Sequence, residues 1–157
     1  MHVSKLTAAL LLAAAPIAAF AQAPAQAASA PADDVAAKSA KEPGAVVTAS
    51  GLVFRSLKDG TGPSPKASDV VKVHYRGTFP DGKEFDSSYS RNAPTEFPLD
   101  RVIKCWTEGV QRIKVGGKAK LTCPAAIAYG ARGTPGGPIP PNATLLFEVE
   151  LLSVTPR

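Results

Sequence analysis

The chain has 157 residues, 18 Lys+Arg against 13 Asp+Glu, a formal net charge of +5 and two cysteines. That length suits one modest core. Its basic residues are scattered along the chain, which describes a solvated surface and argues against a dedicated nucleic-acid face.

Met1 to Lys5 is a short basic start, followed by an apolar Ala- and Leu-rich run from Leu6 to Phe20. Ala19-Phe20-Ala21 fits the small-x-small rule for signal peptidase, so residues 1–21 are expected to be a cleaved signal peptide. The run is short for a membrane span, although an uncleaved anchor is the competing reading. No cysteine follows it to carry a lipid. The mature chain is therefore expected in the periplasm or the medium, with no membrane association. Loss of Lys5 leaves 17 Lys+Arg against 13 Asp+Glu.

Residues 22–47 are rich in Ala, Pro, Lys and Ser and hold almost no large apolar side chain. Such a stretch buries too little to offset ordering entropy, so it reads as a disordered linker before a folded domain at 48–157. It is also too short for a helical dimerisation domain, and a monomer is expected.

Thr48 to Leu57 alternates loosely and reads as a first strand. Asp59 to Pro65 is a turn. Val71, Val73, Tyr75, Gly77 and Phe79 alternate with Lys72, His74, Arg76 and Thr78, the pattern of a half-buried strand. Pro80-Asp81-Gly82 makes a hairpin turn, and Lys83 to Asp86 returns as a strand. Ser87 to Pro94 is polar and interrupts the sheet. Glu96 to Leu99 is a short edge segment, because Pro98 offers no N–H to a ladder. Val102, Ile103, Trp106, Val110 and Ile113 share one stripe of a helix that Gly116-Gly117 should end. Lys118 to Cys123 alternates as another strand. Pro124 to Asn142 is a long loop stiffened by five prolines, and loops of that length are usually functional or disordered. Ala143 to Val154 is the last strand. The class is α+β: a curved antiparallel sheet on one short helix, enclosing an apolar pocket floored by Trp106. The plainer alternative makes Trp106 an ordinary core residue.

Cys105 lies beside the helix stripe, and Cys123 is in phase with Ala119 and Leu121, the inward side of the next strand. In an exported chain an even count favours a bridge stapling helix to sheet, with two buried free thiols as the alternative. His74 is the one histidine of the mature chain. That excludes zinc sites needing several His or Cys ligands and makes a Ser-His-Asp or Cys-His hydrolase improbable. No phosphate loop or dinucleotide fingerprint occurs, so neither metal nor cofactor is expected.

What remains is aromatic. Tyr75, Phe85, Phe97, Trp106, Tyr129 and Phe147 fall where strands, helix and long loop can converge, and Asp86 follows Phe85. An aromatic cup with one or two polar groups is the usual form of a small-ligand or peptide pocket. Val73-His74-Tyr75-Arg76-Gly77, Asp81 to Ser88, Val102-Ile103-x-x-Trp106-Thr107-Glu108-Gly109, Ala128-Tyr129-Gly130 and Ile139 to Leu151 resemble, in order and spacing, the FKBP family of peptidyl-prolyl cis-trans isomerases. The likeness runs from about Gly51 to Val154.

The resemblance implies a half-barrel of antiparallel strands wrapped around one short helix. It implies catalytic roles for Tyr75, Phe85, Asp86, Tyr129 and Phe147. Substrate would be bound by Arg91, Phe97, Val102, Ile103, Trp106 and Ile139, with Trp106 as the base and Arg91 holding Asp86. It further implies proline-containing polypeptides as substrates and macrolides as inhibitors. The chain departs from the family at Thr95 and Thr134, in Gly136-Gly137-Pro138, and in a short segment between Phe97 and Val102. These affect the loop wall rather than the base. The alternative function is a proline-peptide or chaperone-like binding module without useful catalysis.

Overall fold

The computed structural model describes residues 32–157. The signal peptide expected at 1–21, and the first part of the expected linker, lie outside the described residues. Seven strands form one antiparallel sheet in the order β1-β2-β6-β7-β3-β4, with β5 also pairing β3. The strands are β1 (Ala45–Val47), β2 (Val53–Lys58), β3 (Val70–Thr78), β4 (Glu84–Ser87), β5 (Thr95–Pro98), β6 (Lys118–Cys123) and β7 (Leu145–Thr155). Two helices, α1 (Ala32–Ala40) and α2 (Lys104–Val110), complete it. The sheet is curled but open, as expected of a half-barrel.

β3 and β7 make the spine, paired from Val70–Thr155 to Thr78–Leu146. On β3 the expected alternation is observed, with Val71, Val73 and Tyr75 buried and their neighbours half-exposed. The other edge of β3 is shared. Val70 to Val73 pair with β5, and Arg76 to Thr78 pair with β4. The polar stretch between β4 and β5 is where the chain changes from one half of β3 to the other. Ser88, fully buried, covers the gap: its N–H and Oγ both bond the Tyr75 backbone, at 2.9 and 2.7 Å.

α2 lies in the hollow of the sheet. Cys105, Trp106, Gly109 and Val110 are its buried face. Gly109 is needed for this approach, because a Cβ there would sit 2.8 Å from the Leu121 side chain on β6. Cys105 and Cys123 are bonded, with Cα atoms 5.8 Å apart, and so tie α2 to β6. Closing a loop of 18 residues contributes about 3 kcal/mol in the chain-entropy view.

Four expectations are corrected. The helix is shorter than its apolar stripe: Val102 and Ile103 precede it, and it ends well before Gly116, whose φ of +89° belongs to a later turn. Residues 32–47 are not wholly a linker, and the sheet carries two helices rather than one. Between α1 and β1, Glu42 ties the segment to the sheet through charge, accepting from Lys120 Nζ at 2.6 Å and from Arg55 at 2.9 Å. β1 pairs β2, and Ala49 to Gly51 form the turn between them, so the strand expected from Thr48 to Leu57 begins only at Val53 and is the second of the sheet.

Candidate active site

Four neighbouring rings meet Trp106 or each other edge-on. Trp106 is 4% exposed and lies 5.2 Å from Tyr75, 5.4 Å from Phe97 and 5.4 Å from Phe147, ring centre to ring centre. Phe85 continues the cluster against Phe147 at 5.6 Å. Edge-to-face contacts of this kind fix ring orientations as well as burying area. The sequence arranges them simply. Tyr75 and Phe147 occupy inward positions of β3 and β7, Phe97 comes from β5 and Trp106 from the first turn of α2. Phe85 reaches Phe147 across Gly77, where a Cβ would stand 2.5 Å from the Phe85 ring. The motif glycine is thus a gap filled by an aromatic ring.

Polar groups line one border of this cluster. The Tyr75 hydroxyl donates to Asp86 Oδ2 at 2.6 Å. Arg91 donates to Asp86 Oδ1 at 2.6 Å and to the Tyr75 oxygen at 3.0 Å, and its guanidinium lies over the Tyr75 ring at 5.8 Å. Burial alone would raise the Asp86 carboxyl, but Tyr75 and Arg91 together outweigh it and hold Asp86 below its ordinary value. Burial, then the Asp86 hydrogen bond, pushes the Tyr75 phenol up. Asp86 is therefore an anion at neutral pH and Tyr75 a neutral donor. Neither is tuned for proton transfer there.

The long loop supplies the other residues. Thr134 and Ile139 bond each other through backbone and side chain, Thr134 N–H to Ile139 O at 2.9 Å and Ile139 N–H to Thr134 Oγ1 at 3.0 Å. That closes a small hairpin over Gly136-Gly137 and buries Ile139. Tyr129, at the loop's start, is 39% exposed. Its phenol is raised by partial burial and then by the Asp86 charge. Val102 and Ile103 pack on the core just before α2.

All eleven residues expected at the site are half-buried or buried except Arg91 and Tyr129, which are more open. Direct ring contacts join Tyr75, Phe85, Phe97, Trp106 and Phe147, and hydrogen bonds join Tyr75, Asp86 and Arg91. Sequence reasoning missed Ser88, which anchors the Tyr75 backbone and also meets His74 Nδ1 at 2.9 Å. Its only signal was its place at the end of the Asp81 to Ser88 motif. It also missed Phe79, which tilts on Phe85 at 5.1 Å and extends the cluster outward. Trp106 Nε1 is buried without a hydrogen-bond partner, an uncommon state for an indole donor.

An open antiparallel half-barrel, a short inner helix and an aromatic cluster bordered by a Tyr–Asp–Arg set define a class. The signature of the FKBP-type peptidyl-prolyl cis-trans isomerase matches residues 62–152, and the chain belongs to that family. It is 55% identical over 119 residues to the FKBP-type peptidyl-prolyl cis-trans isomerase FkpA of Escherichia coli (strain K12), which covers 76% of this chain and 43% of FkpA. The crystal structure of E. coli FkpA matches with a TM-score of 0.76 at 52% identity, over 80% of this chain and 58% of that one. A crystal structure of a peptidyl-prolyl cis-trans isomerase from Pseudomonas syringae pv. tomato matches with a TM-score of 0.74 at 40% identity, over 80% and 91%. The matched segment is about half the length of the curated relatives.

Proposed function

We propose that this protein accelerates rotation about X-Pro bonds in exported polypeptides as they fold. The observation that carries this is the Tyr75–Asp86–Arg91 set at the border of a cluster based on Trp106. Rotation about an X-Pro bond crosses a barrier of ~18–20 kcal/mol and takes on the order of 10–100 s uncatalysed. That barrier is lost amide resonance, and no bond to the substrate need form or break. The twisted amide has a more pyramidal nitrogen and a less polar carbonyl than the planar one. A water-poor aromatic hollow that grips the proline ring favours it by binding it better.

In this proposal Trp106, Tyr75, Phe85, Phe97 and Phe147 hold the ring, with Val102 and Ile139 as walls. Tyr129 donates its hydroxyl to one substrate carbonyl and the Ile103 N–H serves another. Ionised Asp86, fixed by Arg91, orients the local field and gives up no proton. The same base of aromatic residues would accept macrolide inhibitors, and the domain would act as a monomer. Export to the periplasm is supported by the N-terminal sequence and by the Cys105–Cys123 bond, which needs an oxidising compartment.

Proline-limited refolding of a model substrate tests this. Catalytic amounts of the protein are expected to raise the slow-phase rate, and a macrolide is expected to remove that effect. No acceleration, with the substrate still bound, would instead leave a proline-binding module.

A further inference from the structure

A cavity of ≈ 280 Å³ lies apart from the aromatic cluster and shares no lining residue with it. It lies between the chain leaving α2 and the paired ends of β2 and β6, where the β2–β6 register shifts. Phe54 and Ile113 give it an apolar interior. Lys58, Arg112, Lys114 and Lys118 surround that interior with positive charge. Asp59 is the one lining carboxylate, and it already accepts from Ser56 Oγ at 2.7 Å. Arg112 and Lys118 have loose ion pairs, with Glu108 at 3.8 Å and Glu148 at 3.3 Å. Among the described residues Lys58 and Lys114 have none within 4.0 Å, so two cations face the cavity uncompensated.

We infer that this cavity is a docking site for an acidic segment of the client polypeptide, one apolar side chain entering against Phe54 and Ile113 while flanking carboxylates meet the lysines. The inference rests on the proposed action on polypeptides and adds a recruiting contact outside the proline site. Charge complementarity selects the occupant. The cations sit on separate long side chains around the mouth, which suits carboxylates spread along a segment better than one compact phosphate. A membrane surface would need apolar side chains exposed around the cations. Among the described residues the exposed large apolar side chains are Val46, Val47, Leu57, Tyr89 and Tyr129, and none lines this cavity.

The test uses the full chain and a fluorescein-labelled peptide of Asp and Glu around one Phe, without proline. Anisotropy titration is expected to saturate, to weaken steeply with salt, and to weaken about tenfold in Lys58→Glu/Lys114→Glu. Lys58→Gln/Lys114→Gln should give an intermediate loss, and it guards against misfolding of the reversal variant. Isomerisation of a short neutral proline peptide should be unchanged in both variants. The same peptide joined to the acidic segment should lose about tenfold in kcat/KM in the reversal variant. Equal probe binding by wild type and reversal variant would overturn the site, as would complete displacement by millimolar inorganic phosphate or charge-dependent binding of anionic vesicles without peptide binding. Charge-dependent probe binding in a protein that isomerises neither peptide would remove the proposed activity and leave the docking site. Isomerisation without probe binding would do the reverse.

Discussion

Asp86 and Glu42 are held in nearly the same way, yet they sit in different kinds of place. Asp86 takes a hydroxyl and a guanidinium at 2.6 Å each, and Glu42 takes an ammonium and a guanidinium at 2.6 and 2.9 Å. Both carboxyls lie below their ordinary values. For Glu42 the Lys120 hydrogen bond is the main cause, opposed by burial and aided by Arg55. For Asp86 burial is the largest influence and acts upward, and Tyr75 with Arg91 overcomes it. Asp86 borders a cluster of aromatic rings. Glu42 joins the end of α1 to β2 and β6. A lowered carboxylate therefore marks a held carboxylate, and its neighbours decide whether it belongs to a site or to the scaffold.

Removing the rings should have the largest effect. Trp106→Ala is expected to cost about 3–5 kcal/mol in chemical denaturation and to abolish isomerisation, since one residue serves both core and base. Replacing both cysteines with serine should cost about 3 kcal/mol, measured by thermal melting, and should spare the rate per folded molecule because neither cysteine is among the expected site residues. The carboxylates should then separate. Asp86→Leu is expected to lower kcat/KM about tenfold with an unchanged circular dichroism spectrum, and Tyr129→Phe to lower it by less. Glu42→Gln should do the opposite, leaving kcat/KM alone and removing roughly 1 kcal/mol or less of stability. If the two carboxylate variants behave alike, the distinction between them fails.

Acid sharpens the same contrast more gently. Glu42 has an ordinary value near 4.5 and Asp86 one near 3.8, and both are lowered in the fold. A lowered folded value means the stabilisation is complete above the ordinary value and disappears as pH falls through the folded one. Stability should therefore begin to fall below about pH 4.5 in wild type and fall less in Glu42→Gln, followed by melting at stepped pH. Between neutral pH and that point neither carboxylate should contribute a pH dependence to kcat/KM.

The parts legible in the sequence are those with strong local periodicity. β3 and β7 alternate cleanly because each buries one face, β6 alternates in sequence although Leu121 to Cys123 are buried on both faces, and α2 shows its stripe because it lies in the sheet's hollow. The phases of Cys105 and Cys123, with the even count in a chain expected to be exported, favoured a bridge over two free thiols, and the two are bonded. α1 and β1 were not visible. Ala, Lys and Ser carry no apolar stripe, β1 is a three-residue strand held by its pairing with β2, and the charge contact that ties the segment down, Glu42 with Lys120, joins residues far apart in sequence. The short length of α2 was hidden too, since Val102, Ile103 and Ile113 continue its apolar pattern without continuing its hydrogen bonds. At the site, the rings followed from spacing plus family likeness. Ser88 did not, because a buried serine bonded to backbone has no pattern a single sequence reveals.

Trp106 is the sole tryptophan of the chain, so its fluorescence reports on the base of the cluster without a label. Titration with a macrolide, or with a proline peptide, is expected to change that emission saturably, at the concentrations that inhibit or support isomerisation. Emission that stays constant while the ligand demonstrably binds would place the ligand elsewhere and contradict an aromatic hollow that grips proline.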